Sequence, residues 1–168
     1  PDLPPDEEQD EVELVELPEP SCAGEGFAPT VQSARMVMGG TMTLLEAKTG
    51  LEPPLSELEL ELWGEPAGIE LATPDTPYSS CKRCVVLYAN CDEEGCAQVY
   101  LAESGSIRID QWDDARIKEN ARLRGSFIGL TLRPVSIEDG ESTPLPSAQG
   151  WCLSELAFDA AIAPPPTP

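Results

Sequence analysis

Four cysteines fall within sixteen residues, as Cys81-x2-Cys84-x6-Cys91-x4-Cys96, and two more stand far outside them at Cys22 and Cys152. Four clustered thiolates could hold zinc tetrahedrally, because a zinc knuckle needs two ligands about three positions apart and a second pair that folds back. The second pair here is spaced by four residues, unlike a knuckle, and the chain contains no histidine to complete a mixed ligand set. Cys81-Lys82-Arg83-Cys84 also has the form of a thiol redox site, with two cations that would favour a thiolate. It precedes a strand-like run, however, and does not open a helix that would lower a thiol pKa. An even number of cysteines in an acidic, exported-looking chain reads instead as a disulfide framework, with no metal and no cofactor.

Several pairings satisfy that framework. Cys91 and Cys96 flank a tight loop and could face each other across a hairpin. A Cys22 to Cys152 bridge would close the longest loop and, in the chain-entropy view, contribute about 4 to 5 kcal/mol. Those two leave Cys81 with Cys84, a short ring. The alternative exchanges partners, joining Cys81 or Cys84 to Cys22 or Cys152, and spacing does not choose between the two.

Other chemistry finds little footing. The absence of histidine removes the commonest general base, the commonest neutral metal ligand and the usual pH switch, so no catalytic residue is assigned and the chain reads as a non-enzyme. Ser142 and Ser154 have no histidine partner, no G-x-S-x-G elbow occurs, and no glycine-rich phosphate loop is present. Asp92-Glu93-Glu94 and Asp110, Asp113 and Asp114 offer oxygen ligands to calcium, but neither set has the alternating loop with a central glycine and a terminal glutamate. Paired carboxylates could serve glycoside hydrolysis, which needs only a separation in space, yet nothing singles out a pair.

The elements that must carry these residues alternate. Leu58, Leu60 and Leu62 interleave with Glu57, Glu59 and Glu61 up to Trp63, the two-residue period of a half-buried strand. Further strands are expected at Thr30 to Met38, Thr41 to Ala47, Gly68 to Ala72, Cys84 to Asn90, Ala97 to Ala102, Ser106 to Gln111, Leu123 to Ile137 and Trp151 to Phe158. Gly, Pro, Ser and Asp punctuate them at the spacing of an all-β sandwich. Gly39-Gly40 and Ser104-Gly105 suit two-residue hairpin turns. One short helix is expected at Asp113 to Ala121, N-capped by Asp113, with Trp112 stapled onto Ile117. Tyr88 and Tyr100 sit on strands that should pair across the Cys91 to Cys96 loop, as cross-strand packing or as an exposed aromatic pair. The fold class is therefore all-β, an antiparallel β-sandwich of the immunoglobulin or jelly-roll kind, with disulfides and one short helix.

Three regions follow: an acidic Pro-rich arm over residues 1–20, a disulfide-stapled sandwich domain over 21–160, and a Pro-rich tail over 161–168. The arm holds nine carboxylates, five prolines and no cation, too little apolar surface to order itself. Within it Val12, Leu14 and Leu17 alternate with Glu11, Glu13 and Glu16, so it could add to a sheet edge. Of 31 acidic and 10 basic residues, eight of the bases lie between Lys82 and Arg133 together with eight acids. The net charge of −21 therefore sits on the flanks, where an acidic arm could meet another copy's face bearing Arg122, Arg124 and Arg133. Such a charge argues against nucleic acid and anionic membranes. No run approaches the roughly 20 apolar residues of a membrane span. The start lacks the basic and apolar runs of a signal peptide, so the chain reads as a mature exported form, compatible with a lipid anchor upstream of Pro1.

The run Cys81-Lys82-Arg83-Cys84-Val85-Val86-Leu87-Tyr88-Ala89-Asn90-Cys91, then Gly95-Cys96-Ala97-Gln98-Val99-Tyr100, Ser104-Gly105, Gly125-Ser126-Phe127 and Gly150-Trp151-Cys152-Leu153, resembles uncharacterised cysteine-rich exported lipoproteins of Gram-negative bacteria over about residues 78–158. The resemblance implies a shared fold and no activity. The functional expectation is a structural subunit of an extracellular filament or coat, self-assembled by strand addition of the arm and located outside the cell, at its surface or in the periplasm. The alternatives are a monomeric cell-surface binding module for a carbohydrate, protein or calcium-dependent ligand, and a thiol redox or metal protein.

Overall fold

The computed structural model describes residues 16–66, 69–146 and 149–168. Ten strands carry the described chain: β1 (Ser21–Glu25), β2 (Val31–Val37), β3 (Met42–Lys48), β4 (Leu55–Trp63), β5 (Glu70–Ala72), β6 (Arg83–Cys91), β7 (Cys96–Trp112), β8 (Arg122–Glu138), β9 (Glu141–Pro144) and β10 (Gln149–Ala163). The all-β expectation holds, and the strands form one continuous mixed sheet. Strands β2, β3, β4, β6, β7, β8 and β10 pair in that order, and β10 then pairs with β2 through Ile162 and Ala163 opposite Ala34 and Arg35, so the path closes on itself. Most neighbours are antiparallel; β1 and β2 both run parallel to β10.

The alternation read in β4 fixes which side faces in. Leu58, Leu60 and Leu62 are buried and join Leu45, Val85, Leu87, Ile107, Ile109, Leu123, Phe127 and Phe158 in the core. The Phe127 and Phe158 rings lie 5.0 Å apart at a tilted angle, and each such side chain contributes about 1.5 to 3 kcal/mol by leaving water. A smaller cluster of Val86, Leu101 and Val135 lies apart from the main core, packed against Tyr78, Tyr88 and Ile137.

Four local expectations need correction. Ser104-Gly105 does not reverse the chain: β7 runs through it as one 17-residue strand with register shifts around Ser104. Gly105, at φ +101°, lies so close to β8 that a Cβ there would fall on the Gly129 carbonyl. This approach lets two paired strands bend together, where a side chain would force them apart. Gly39-Gly40 belongs to a 3-10 turn over Met38–Gly40, and the β2 to β3 hairpin closes at Val37 opposite Met42. No helix forms over Asp113 to Ala121. Instead the Asp113 carboxylate accepts from the Arg122 backbone N–H at 3.0 Å and from Lys118 at 2.7 Å, closing a loop, while Ile117 stays exposed and the Trp112 indole donates to Thr43. At the C-terminal end β10 continues to Ala163 with Ile162 buried, so the Pro-rich tail starts at Pro164, later than the expected 161.

Candidate functional site

The sulfur network takes the first of the two sets of pairings. Cys22 is bonded to Cys152, Cys81 to Cys84 and Cys91 to Cys96, with no free cysteine among the described residues. The first bridge ties edge strand β1 to β10 across 130 residues of chain, and the third joins residues directly opposite in the β6 to β7 hairpin. Cys81 and Cys84 are buried, and Cys84 lies on β6 opposite Glu61 of β4. A thiol exchange site needs sulfur open to its partner; this bridge is enclosed.

Beside it stands a ladder of carboxylates that spacing alone does not assemble. Register places Glu46 of β3 opposite Glu59 of β4, and one oxygen from each of Glu46, Glu57 and Glu59 lies within 4.8 Å of the others. Glu61, the next outward residue on β4, is buried and accepts the Tyr78 hydroxyl at 2.6 Å and the Trp63 indole N–H at 3.3 Å. Cations reach only the rim, with Arg35 3.3 Å from Glu46 and Lys48 3.8 Å from Glu57. Burial, and then the adjacent Glu57, push the Glu59 carboxyl up to about 8, so it keeps a proton at neutral pH. The same burial and the same glutamates raise the Tyr88 phenol to about 12, and burial and Glu61 hold Tyr78 above its ordinary range. Chemically the ladder can store a proton, and its oxygen-only donors suit a hard cation such as calcium or magnesium.

The acidic runs noticed in the sequence are otherwise engaged. Asp92 accepts the backbone N–H groups of Glu94 and Gly95, Asp114 pairs with Arg116, and Asp110 pairs with Arg108. Nor do Tyr88 and Tyr100 form an aromatic pair. They occupy adjacent rungs, so their rings face opposite sides of the sheet, and Tyr100 meets Trp151 edge-on at 5.8 Å in the main core.

The three arginines assigned to assembly separate into two environments. Arg122 and Arg124 stand on the outer face of β8 beside Asp159 of β10, at 2.6 and 3.5 Å, each half exposed. Arg133 lies past the bend at Gly129, 8 % exposed, with two bonds to Glu103 at 2.8 and 2.9 Å. Its place beside Arg124 is taken by Arg108 of β7, which donates to Ser126 at 3.2 Å. Together with Asp110, Asp159, Thr30 and Gln32, Arg108 and Arg124 line an open recess of about 670 Å³. It exists because the chain between β1 and β2 leaves β10 after Glu25 and rejoins it at Ala34. Gln32 spans the gap, donating to the Ala157 carbonyl at 3.4 Å and accepting the Asp159 N–H at 3.1 Å. Of the arm residues, Val12 and Leu14 lie outside the described residues, and Leu17 is exposed in the segment before β1.

No protein-family model, curated protein or solved structure matches the chain. Two features escaped the sequence reading, the meeting of Glu46 with Glu57 and Glu59 and the recess at Arg108. The signal for the first was the Glu alternation in β4; its partner strand and register lay beyond the reach of spacing.

Proposed function

We propose that the chain is a structural subunit of an extracellular surface structure, a filament or coat, that joins copies of itself through the acidic N-terminal arm. The observation that carries this reading is the root of that arm. Strand β1 follows it directly, pairs with β10 on one side only among the described residues, and is fixed there by the Cys22–Cys152 bridge. An edge strand is a template for pairing with another chain, and an arm that alternates apolar and acidic residues has the pattern such pairing uses. Three disulfides fit an oxidising compartment outside the cytoplasm, and no helix is long and apolar enough to cross a membrane among the described residues. The lack of histidine supports a role without catalysis. The enclosed Cys81–Cys84 bridge gives no support to the thiol redox alternative.

Light scattering on the full-length chain and on a Val12→Asp, Leu14→Asp variant tests the proposal. The unaltered chain should grow in mass with concentration while the variant stays monomeric; monomers of equal size for both would remove the assembly reading.

A further inference from the structure

We infer that the Gln32 side chain is a built-in block against strand addition, closing a split along the edge of β10 that would otherwise pair with a further strand. The inference goes beyond the assembly reading and does not depend on it.

The split follows from the register. On the edge away from β8, β10 is covered by β1 up to Cys152 and by β2 only from Ile162 onward. Among the described residues, Leu153 to Ala161 therefore have no strand beside them there. The connection between β1 and β2 does not fill the space. It gives β10 the Gly26 N–H, on the Cys152 carbonyl at 2.9 Å, and then turns to β3 with the Thr30 N–H on Lys48 at 2.8 Å; Pro29 between them has no N–H to give. Pro29, Thr30, Gln32, Ala157 and Asp159 all line the open recess of about 670 Å³, so the split is reached from solvent. Bare strand edges of this kind recruit other chains.

The Gln32 amide stands where that recruitment would begin. In a parallel ladder the residue facing Phe158 would donate its N–H to the Ala157 carbonyl and accept the Asp159 N–H. Gln32 makes those same two bonds with its side chain, at 3.4 and 3.1 Å, and both strands that flank the split run parallel to β10. Its place in the sequence agrees. Gln32 shares a face of β2 with buried Ala34 and Met36, where the two-residue period calls for an apolar side chain. A glutamine there satisfies two backbone groups that an apolar residue would leave open, and an incoming strand must first displace it.

Two full-length variants test the inference, Gln32→Ala and Gln32→Asn, each in the Val12→Asp, Leu14→Asp background so that the arm contributes no association. Asn keeps the amide but is one methylene shorter, so stickiness of an apolar replacement is not the cause of any shared effect. In dilute solution the Asp159 amide should exchange about three- to tenfold faster in both, the loss of one hydrogen bond. Phe158 and Ala160, which face Gly125 and Leu123 of β8 in the ladder, should keep their rates and so report a folded sheet. Sedimentation should then show both variants associating more strongly than their Gln32 parent, with the Ala157 and Asp159 amides protected again in the associated form. Variants that expose Asp159 and associate no more than the parent overturn the block and leave Gln32 as a tie between β2 and β10. Unchanged exchange at Asp159 overturns the contact itself, and association without renewed protection there overturns β10 as the edge that pairs. A parent that still associates counts against assembly through the arm, and the block then stands or falls on the difference between parent and variants.

Discussion

Glu59 is the residue whose environment departs furthest from what its neighbours in sequence suggest. Alternation predicts an outward glutamate, and outward it is, but Glu46, Glu57 and Glu61 surround it and the sheet buries it in part. The sign of its effect on stability follows from linkage. An unfolded Glu59 ionises near its ordinary value of 4.5, whereas the folded carboxyl holds its proton to about 8, so the folded state binds more protons between those values. Its contribution is complete below pH 4.5 and is lost as pH rises through about 8. Glu59→Gln, which cannot ionise, should flatten this fall and leave the variant more stable at pH 8 by on the order of 1 to 3 kcal/mol, read from urea midpoints across pH. The surface carboxylates act in the other direction. Arg122 holds Asp159, and Lys118 holds Asp113, below the ordinary 3.8, so their stabilisation disappears as pH falls through those depressed values.

At the scale of elements, the paired bend of β7 and β8 does most to shape the molecule. Each strand first serves one half of the sheet and then the other: β7 pairs with β6 before Gly105 and with β5 after it. The two bend glycines are not equivalent. Gly105 has both a positive φ and the Gly129 carbonyl where a side chain would go, while Gly129, at φ +59°, faces open space. Gly105→Ala should therefore cost about 2 to 4 kcal/mol, combining backbone strain with displacement of β8, and Gly129→Ala about 1 kcal/mol from strain alone. Thermal unfolding of the two variants checks the order. The glycine at 105 was legible as a special backbone position; that it bends a strand instead of ending a hairpin was not, because a positive φ serves either purpose and only the length of the partner strand distinguishes them.

For the molecule as a whole, closure is the central fact. The sheet path returns to its start through two residue pairs between β10 and β2, and the Cys22–Cys152 bridge holds the neighbouring β1 against the other end of β10. Cutting that bridge by Cys22→Ser with Cys152→Ser releases a loop of 130 residues in the unfolded state, with an expected loss of about 4 to 5 kcal/mol in the chain-entropy view. Chemical denaturation measures it. The arm's root should loosen first, seen as faster hydrogen exchange over Ser21 to Glu25, because among the described residues β1 has a strand neighbour on one side only.

The sequence by itself determined the strand content, the inward face of β4 and the reading of six cysteines as bridges. All of these rest on periodicity or composition, which act over a few residues and are printed in the chain. The tertiary structure alone decided which cysteines meet, that Glu46 joins Glu57 and Glu59, that Arg133 is enclosed while Arg108 stands beside Arg124, and that the sheet closes. Each of those depends on register between strands far apart in sequence. A shift of one residue carries a side chain to the opposite face, and the choice among registers belongs to the packing of the whole core.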